Sequence, residues 1–448
     1  MNRSFDGAQF STRWSHDRAF WFVVCFSILV RLLVLASMGN APFVFDGLEY
    51  RNMAMQLLDG HSFVPYWPPG LPYYLSAFLA VTHSDVVLRA AMLFFWLLFC
   101  WGTYRLAIVT DTVKVAWIIL LIFSLAPVSI HLSLEPLTQL PVAALLLVAA
   151  SAAIRCGRRS GWDEYVLLGC SLGAMCLIRP SALLLLLFLP AAAFFRDRRL
   201  FRCLIAVAIG GALIFGWMIK VQRMTGKLAI NSSNSYNLFY GNNPSTPLYR
   251  TWFFGSHAKP GSEEIHKYPE YETTRTRTDN LPNFEPAGAY QRMAVQYIFH
   301  HPVMFVIRSV NRVLGFWGFD IFTAAQLRLA SPTVHRWFPV VLFMDALIYL
   351  IVAGFSVFWM TLAPRCFWGQ WETWLLAGPI FLYALPYWVS MSHATYHYPI
   401  MMPLVFLGLG AKKVSEGSVK RVRRGYFALL VLGAVQVEWM FYLVRQNI

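Results

Sequence analysis

The sequence predicts an all-α integral membrane protein, a polytopic bundle of about eleven transmembrane helices. Three observations point there. Hydrophobic residues fill 58% of the 448 positions and charged residues 13%, with a mean hydropathy of +0.52. A soluble domain carries roughly 25% charged residues, so this chain cannot cover a water-facing surface with charge. Apolar runs of about 20 residues recur, the length that crosses a hydrocarbon core. Arginine and lysine collect in blocks in the short connections, as in loops retained on the cytoplasmic side. These features exclude a cytosolic globular enzyme, a disordered chain and a nucleic-acid-binding module. The net charge of +15 reflects topology, not a nucleic-acid partner.

Spans are expected over 19–38, 86–110, 115–133, 136–154, 165–179, 181–195, 203–222, 338–362, 374–392, 396–411 and 425–444. The first follows Arg3, Arg13 and Arg18 and lacks a small-residue cleavage site, so it reads as a retained span rather than a signal peptide. Arg155, Arg158 and Arg159 occupy one loop, Arg196, Arg198, Arg199 and Arg202 another, and Lys412, Lys413, Lys420, Arg421, Arg423 and Arg424 a third. The positive-inside rule puts all three inside, with the N-terminus. The segments 39–85, 133–136, 223–337 and 393–397 then fall outside. Residues 302–325 are long enough to span, but that would reverse the last basic cluster. Arg308, Asn311 and Arg312 share a helical face opposite Val306, Val310, Val313 and Leu314, which predicts an amphipathic helix lying in the outer interface. The chain thus divides into a first bundle (1–222), an outer region (223–337) and a second helical set (338–448). No internal repeat is evident, which disfavours a transporter built from inverted halves. None of the seven cysteines lies in the polar stretch 223–300, and no disulfide framework or zinc spacing can be read from them.

The first outer segment carries Asp46, Glu49 and Tyr50 at i, i+3, i+4, one face of a helix predicted to stop at Asp59-Gly60. Asp46 followed by Glu49 is also a capping-box pattern, which would make Asp46 an N-cap. The stretch Tyr66-Trp67-Pro68-Pro69-Gly70-Leu71-Pro72 is stiffened by proline and reads either as an entry into a helix or as a wall over a cavity. Glu135 precedes Pro136 between two close spans, either as a helix-start acid or as a group orienting substrate. Arg179 ends a span before Pro180, either snorkelling to the interface or binding an anion. Asn242 and Asn243 before Pro244 fit a turn or a sugar contact, and Asn231-Ser232-Ser233 matches a glycosylation acceptor triplet. His393 and His397, with His131, raise a divalent metal beside Asp46 or Glu135 as a weak option, and no metal ligand is assigned. Arg31, Asp345 and Glu438 fall in the outer halves of spans, where intramembrane charge faces a cavity or a partner.

Asp46, the Trp67-Pro68-Pro69-Gly70 element, Glu135-Pro136-Leu137-Thr138, Arg179-Pro180-Ser181, Gly241-Asn242-Asn243-Pro244 and Tyr396-His397-Tyr398-Pro399 occur in that order. The pattern resembles the GT-C glycosyltransferases of the protein-mannosyltransferase and aminoarabinose-transferase type, over roughly residues 20–410. It departs from them where Gly47 follows Asp46 and where Trp67 replaces a lysine. The resemblance implies a polyprenyl-phosphate-linked sugar as donor and an acceptor hydroxyl on a glycan, lipid or protein. It places the site on the outer face, periplasmic in a bacterial inner membrane, and implies no cofactor. One carboxylate suffices to take the acceptor proton while phosphate leaves, so the reaction inverts the sugar and Asp46 is the expected base. Glu49, Tyr50, Trp67, Glu135, Arg179, Asn242, Asn243, His393, His397 and Tyr398 are the expected substrate-binding set. The alternatives are a flippase for a lipid-linked sugar and a hydrolase or phosphotransferase acting on the lipid phosphate.

Overall fold

The computed structural model describes residues 7–59, 65–159, 161–244, 246, 285–330, 336–415 and 419–445. Every regular element among the described residues is a helix, as the composition requires. In order these are α1 (Gly7–Met38), α2 (Phe45–Leu58), α3 (Gly70–Leu79), α4 (Asp85–Val109), α5 (Val113–Leu125), α6 (Pro127–Leu132), α7 (Gln139–Gly157), α8 (Trp162–Ile178), α9 (Leu183–Asp197), α10 (Leu200–Thr225) and α11 (Ser233–Gly241). Helices Glu285–His300, Pro302–Phe316, Phe322–Ala330, Phe338–Leu362, Trp371–Val389, Tyr398–Val414 and Val419–Arg445 follow. The helix stop expected at Gly60, and positions 245, 247–284 and 331–335 of the outer region, lie outside the described residues.

Among the described residues seven helical segments are long and apolar enough to cross a membrane: Asp17–Met38, Asp85–Val109, Gln139–Gly157, Pro180–Asp197, Leu200–Thr225, Phe338–Leu362 and Val422–Val444. The other four expected spans are helical but interrupted or short. The span at 115–133 breaks at Ala126, because Pro127 lacks the donor that would continue α5 and instead starts α6. The span at 165–179 is α8, with 17 residues. That at 374–392 is Trp371–Val389, which contains Pro379 and Pro386. That at 396–411 opens as a 3-10 turn, Ala394–His397, before the Tyr398–Val414 helix.

Helix α7 is the hub. Its small residues Ala143, Ala144, Ala149, Ala150, Ala152 and Ala153 are buried, which lets backbones approach closely without a hydrophobic drive from water. It packs on α4, α8, α9 and the Tyr398–Val414 helix. The three basic loops meet at one end of the bundle. Arg105 and Arg155 hold Glu164 at 2.5 and 3.2 Å, Arg159 and Arg199 hold Asp197 at 3.5 and 3.3 Å, and Lys413 reaches Asp111 at 3.3 Å. The amphipathic segment expected over 302–325 is two helices parted at 317–321. In the first, Arg308, Asn311 and Arg312 are buried while Val303, Val306 and Val310 are exposed. Its polar face turns into protein: Arg308 donates to the Asn243 and Thr246 carbonyls, and Arg312 to those of Gly241, Trp388 and Val389.

Candidate active site

The chemistry-bearing residues gather at the end opposite the basic loops, where α2, the α6–α7 turn, the α8–α9 joint and the 394–397 turn converge. Helix α2 starts at Phe45, one residue before the expected cap position. Val44 is the N-cap and makes no side-chain capping bond, so Asp46 is not the cap. Two close approaches position this helix and its neighbour. A β-carbon on Gly47 would lie 3.3 Å from Glu135 Oε2, and one on Gly70 would lie 2.9 Å from the Leu177 carbonyl carbon. These glycines let α2 seat on the α6–α7 turn and α3 on the end of α8, beside Arg179. Phe45 has φ of +50°, a left-handed conformation that costs a non-glycine residue energy, and it sits next to Asp46.

Asp46 is half-buried, and among the described residues no group donates a hydrogen bond to it. Withdrawal from water, reinforced by the Glu49 carboxylate and opposed by Arg179, raises its carboxyl to about 6. Tyr50, one turn on, is buried, and burial holds its phenol neutral. Glu49 accepts a 2.5 Å bond from Trp67 Nε1, and the Trp67 ring lies 5.7 Å from that of Tyr50. The Trp67-Pro68-Pro69-Gly70 element thus holds α2 as well as opening α3.

Glu135 is not a helix-start acid, since α7 begins at Gln139. It is buried and paired with Arg89 at 2.9 Å, and Arg89 also donates to the Ala41 carbonyl at 2.7 Å. The pair pins the 39–44 connection to the bundle. Burial still outweighs the Arg89 attraction and raises the Glu135 carboxyl to about 7. Arg89→Gln leaves that acid buried without a cation and is expected to cost about 3–5 kcal/mol of stability. A lowered unfolding midpoint of the purified protein checks this, with partial recovery in the Arg89→Gln/Glu135→Gln double variant.

Arg179 follows α8 in extended backbone and lies in a tyrosine cage. Its guanidinium is 4.7 Å from the centre of the Tyr396 ring and 5.7 Å from that of Tyr387, and it donates to the Tyr383 hydroxyl at 3.4 Å. No carboxylate among the described residues forms an ion pair with it. By contrast Arg51 is taken by Asp85 at 2.6 Å. Tyr383 and Tyr387 were not singled out in the sequence. Their signal was two phenols at i, i+4 on an apolar helix, one face with polar tips.

The remaining expected residues serve other ends. Asn242 donates to the Leu238 and Val389 carbonyls at 2.9 and 3.0 Å, and Asn243 to that of Phe239 at 2.8 Å. Gly241 is needed because any side chain there would collide with the Ser390 carbonyl. The Gly-Asn-Asn-Pro motif therefore closes α11 onto the Trp371–Val389 helix. Asn231 is buried and bonded to Ser233 at 2.6 Å, so the acceptor triplet is not presented to solvent. His393 accepts the Thr395 amide at 3.2 Å. His397 and Tyr398 are buried and line a small cavity to which neither Asp46 nor Arg179 contributes. Among the described residues no three His, Cys, Asp or Glu side chains stand close enough to hold a metal ion.

What gathers is an unpaired carboxylate with a raised pKa, a cation caged by phenols, and an indole-held acid, all at one end of an apolar bundle. A carboxylate of this kind accepts protons near neutral pH, and a guanidinium of this kind accepts an anion. No family model, curated protein or solved structure matches the chain.

Proposed function

We propose that the chain is an inverting glycosyltransferase of GT-C type that moves a sugar from a polyprenyl phosphate to an acceptor hydroxyl on a glycan, lipid or protein. The observation that carries this reading is that Asp46 and Arg179 lie within electrostatic reach of each other, and neither has a salt-bridge partner among the described residues. A base beside an anion site is what displacement of a phosphate requires. Asp46 takes the proton of the attacking hydroxyl as it bonds to the anomeric carbon. The bond from that carbon to the phosphate oxygen breaks, and the electron pair leaves with the phosphate. Arg179 holds the phosphate, and its delocalised fork suits two oxygens at once. Tyr50, Tyr383 and Tyr396 limit the contact of both groups with water.

In the accompanying topology the chain crosses the membrane eleven times, with the basic loops inside and the site outside. Convergence of the three basic loops at one end supports this. So does the Pro302–Phe316 helix, with its apolar face outward and its arginines inward. In a bacterium the site would be periplasmic and the membrane the inner one. An isoprenoid tail stays in the bilayer while the sugar phosphate meets the site at the interface.

The test is a pH profile with a polyprenyl-phosphate sugar and its acceptor. The base must be ionised and its carboxyl is raised to about 6. Activity as kcat/KM is therefore expected to fall about tenfold per unit below that value and to level off above it. The limb should persist in Glu135→Gln. A profile flat down to the ordinary carboxylate range, or release of free sugar in place of a glycosylated acceptor, overturns the reading.

A further inference from the structure

A second polar site lies apart from Asp46, in the bundle beneath the 394–397 turn. A cavity of about 40 Å³ is lined by Ser129, Asp320, Asp345, Tyr349, His397 and Tyr398 together with apolar side chains. That is room for one ion or one water. Asp320 and Asp345 are 5% and 3% exposed. Each uses only one oxygen. Asp345 Oδ1 accepts the Val128 amide at 2.9 Å, and Asp320 Oδ1 accepts the Phe322 amide and the Thr395 hydroxyl, both at 2.7 Å. Both Oδ2 atoms are buried and have no partner among the described residues. Among the described residues no lysine or arginine forms an ion pair with either acid, and both carboxylates line the same cavity.

The rest of the lining has little to donate beyond the Ser129 hydroxyl. The Tyr349 hydroxyl donates to the Trp317 carbonyl at 2.6 Å, the Tyr398 hydroxyl to Ser129 at 3.0 Å, and His397 Nδ1 to the Phe316 carbonyl at 2.8 Å. The histidine is therefore the tautomer with a bare Nε2. The cavity presents lone pairs and two half-satisfied acids, an arrangement that a positive charge completes.

We propose that this cavity binds one dehydrated monovalent cation of sodium size, held by the free oxygens of Asp320 and Asp345 and by hydroxyl lone pairs of the lining. Oxygen ligands select a hard cation. The absence, among the described residues, of three acid or imidazole groups in coordinating reach favours a single charge over a divalent ion. Two carboxylates on one cavity repel each other when ionised, and a cation held by both offsets that repulsion. Protons compete at acid pH, since burial raises the Asp320 carboxyl to about 6. Bound cation would steady the turn whose Thr395 bonds Asp320 and whose Tyr396 lies over Arg179.

The experiment is thermal unfolding of the full chain in lipid nanodiscs, followed by tryptophan fluorescence, with sodium chloride titrated against choline chloride at constant ionic strength. At about pH 8 sodium is expected to raise the midpoint saturably by about 3 °C or more, and at about pH 5 to have no effect. Asp345→Asn keeps the shape of a protonated acid and should abolish the sodium response, as should Asp320→Asn. If neither variant folds, the wild-type comparison decides alone. Identical midpoints in sodium and choline at the higher pH overturn the proposal, even if stability varies with pH, because the occupant is then a proton or water. A sodium response that survives in both variants overturns it too.

Discussion

Asp46→Asn is expected to lower turnover by about 10²–10⁴-fold, the usual contribution of a positioned general base, while binding of the polyprenyl-phosphate sugar is retained. The substitution keeps the size of the side chain and removes only its capacity to take a proton. It should not destabilise the fold. The folded state raises this carboxyl to about 6, so above that pH the ionised form weakens folding relative to the unfolded chain, where the group ionises freely. A neutral amide relieves that cost, and no capping bond is lost, because Val44 and not Asp46 caps α2. The unfolding midpoint at neutral pH should therefore be unchanged or higher. Product formation, donor binding and melting, measured on one preparation, check all three. Turnover within about tenfold of wild type would remove Asp46 from the chemistry. Lipid-linked sugar still crossing the bilayer in proteoliposomes containing the variant, with no glycoside formed by the wild type, would make the protein a flippase.

Arg179→Ala is expected to weaken donor affinity by about 10–100-fold, the loss of one or two charge-assisted hydrogen bonds to a phosphate. Arg179→Lys should recover little of it. The guanidinium is held among Tyr383, Tyr387 and Tyr396, and an ammonium on a flexible stem reproduces neither its contacts with the rings nor the two-pronged donation. The defect should appear as a raised KM for donor and as weaker competition by free polyprenyl phosphate, with the acceptor KM unchanged. Equal competition by polyprenyl phosphate in wild type and Arg179→Ala would show that the phosphate sits elsewhere. The two variants separate cleanly, one failing in turnover and the other in donor binding.

Several features of this arrangement were legible in the residues and several were not. Asp46, Glu49, Tyr50 and Trp67 lie within one segment between the first two long apolar helices, and a short helix brings the first three to one face by its period alone. Arg179 was legible as a cation at the end of an apolar run. The motif Gly241-Asn242-Asn243 misled, because turn residues that bond backbone carbonyls and residues that bond sugars are the same types. His397 and Tyr398 misled for another reason: adjacency in sequence to Tyr396 put them near the site, but the 3-10 turn aims them into the cation cavity instead. The proline at 127 was visible, yet its effect of splitting one span into α5 and α6 depends on what packs around it.

Composition and charge placement by themselves determined that this is a helical membrane protein, with its basic loops gathered at one end. Those properties follow from solvation of single segments: a run of apolar residues seeks lipid, and a block of arginines stays out of it, whatever the rest of the chain does. Only the tertiary structure decided which charges are spent and which are free. Glu135 met Arg89 and Asp85 met Arg51, while Asp46 and Arg179 were left without ion-pair partners among the described residues. Pairing is settled by helices distant in sequence arriving at the same place, and in a dry interior the presence or absence of one opposite charge determines whether an acid is a brace or a base.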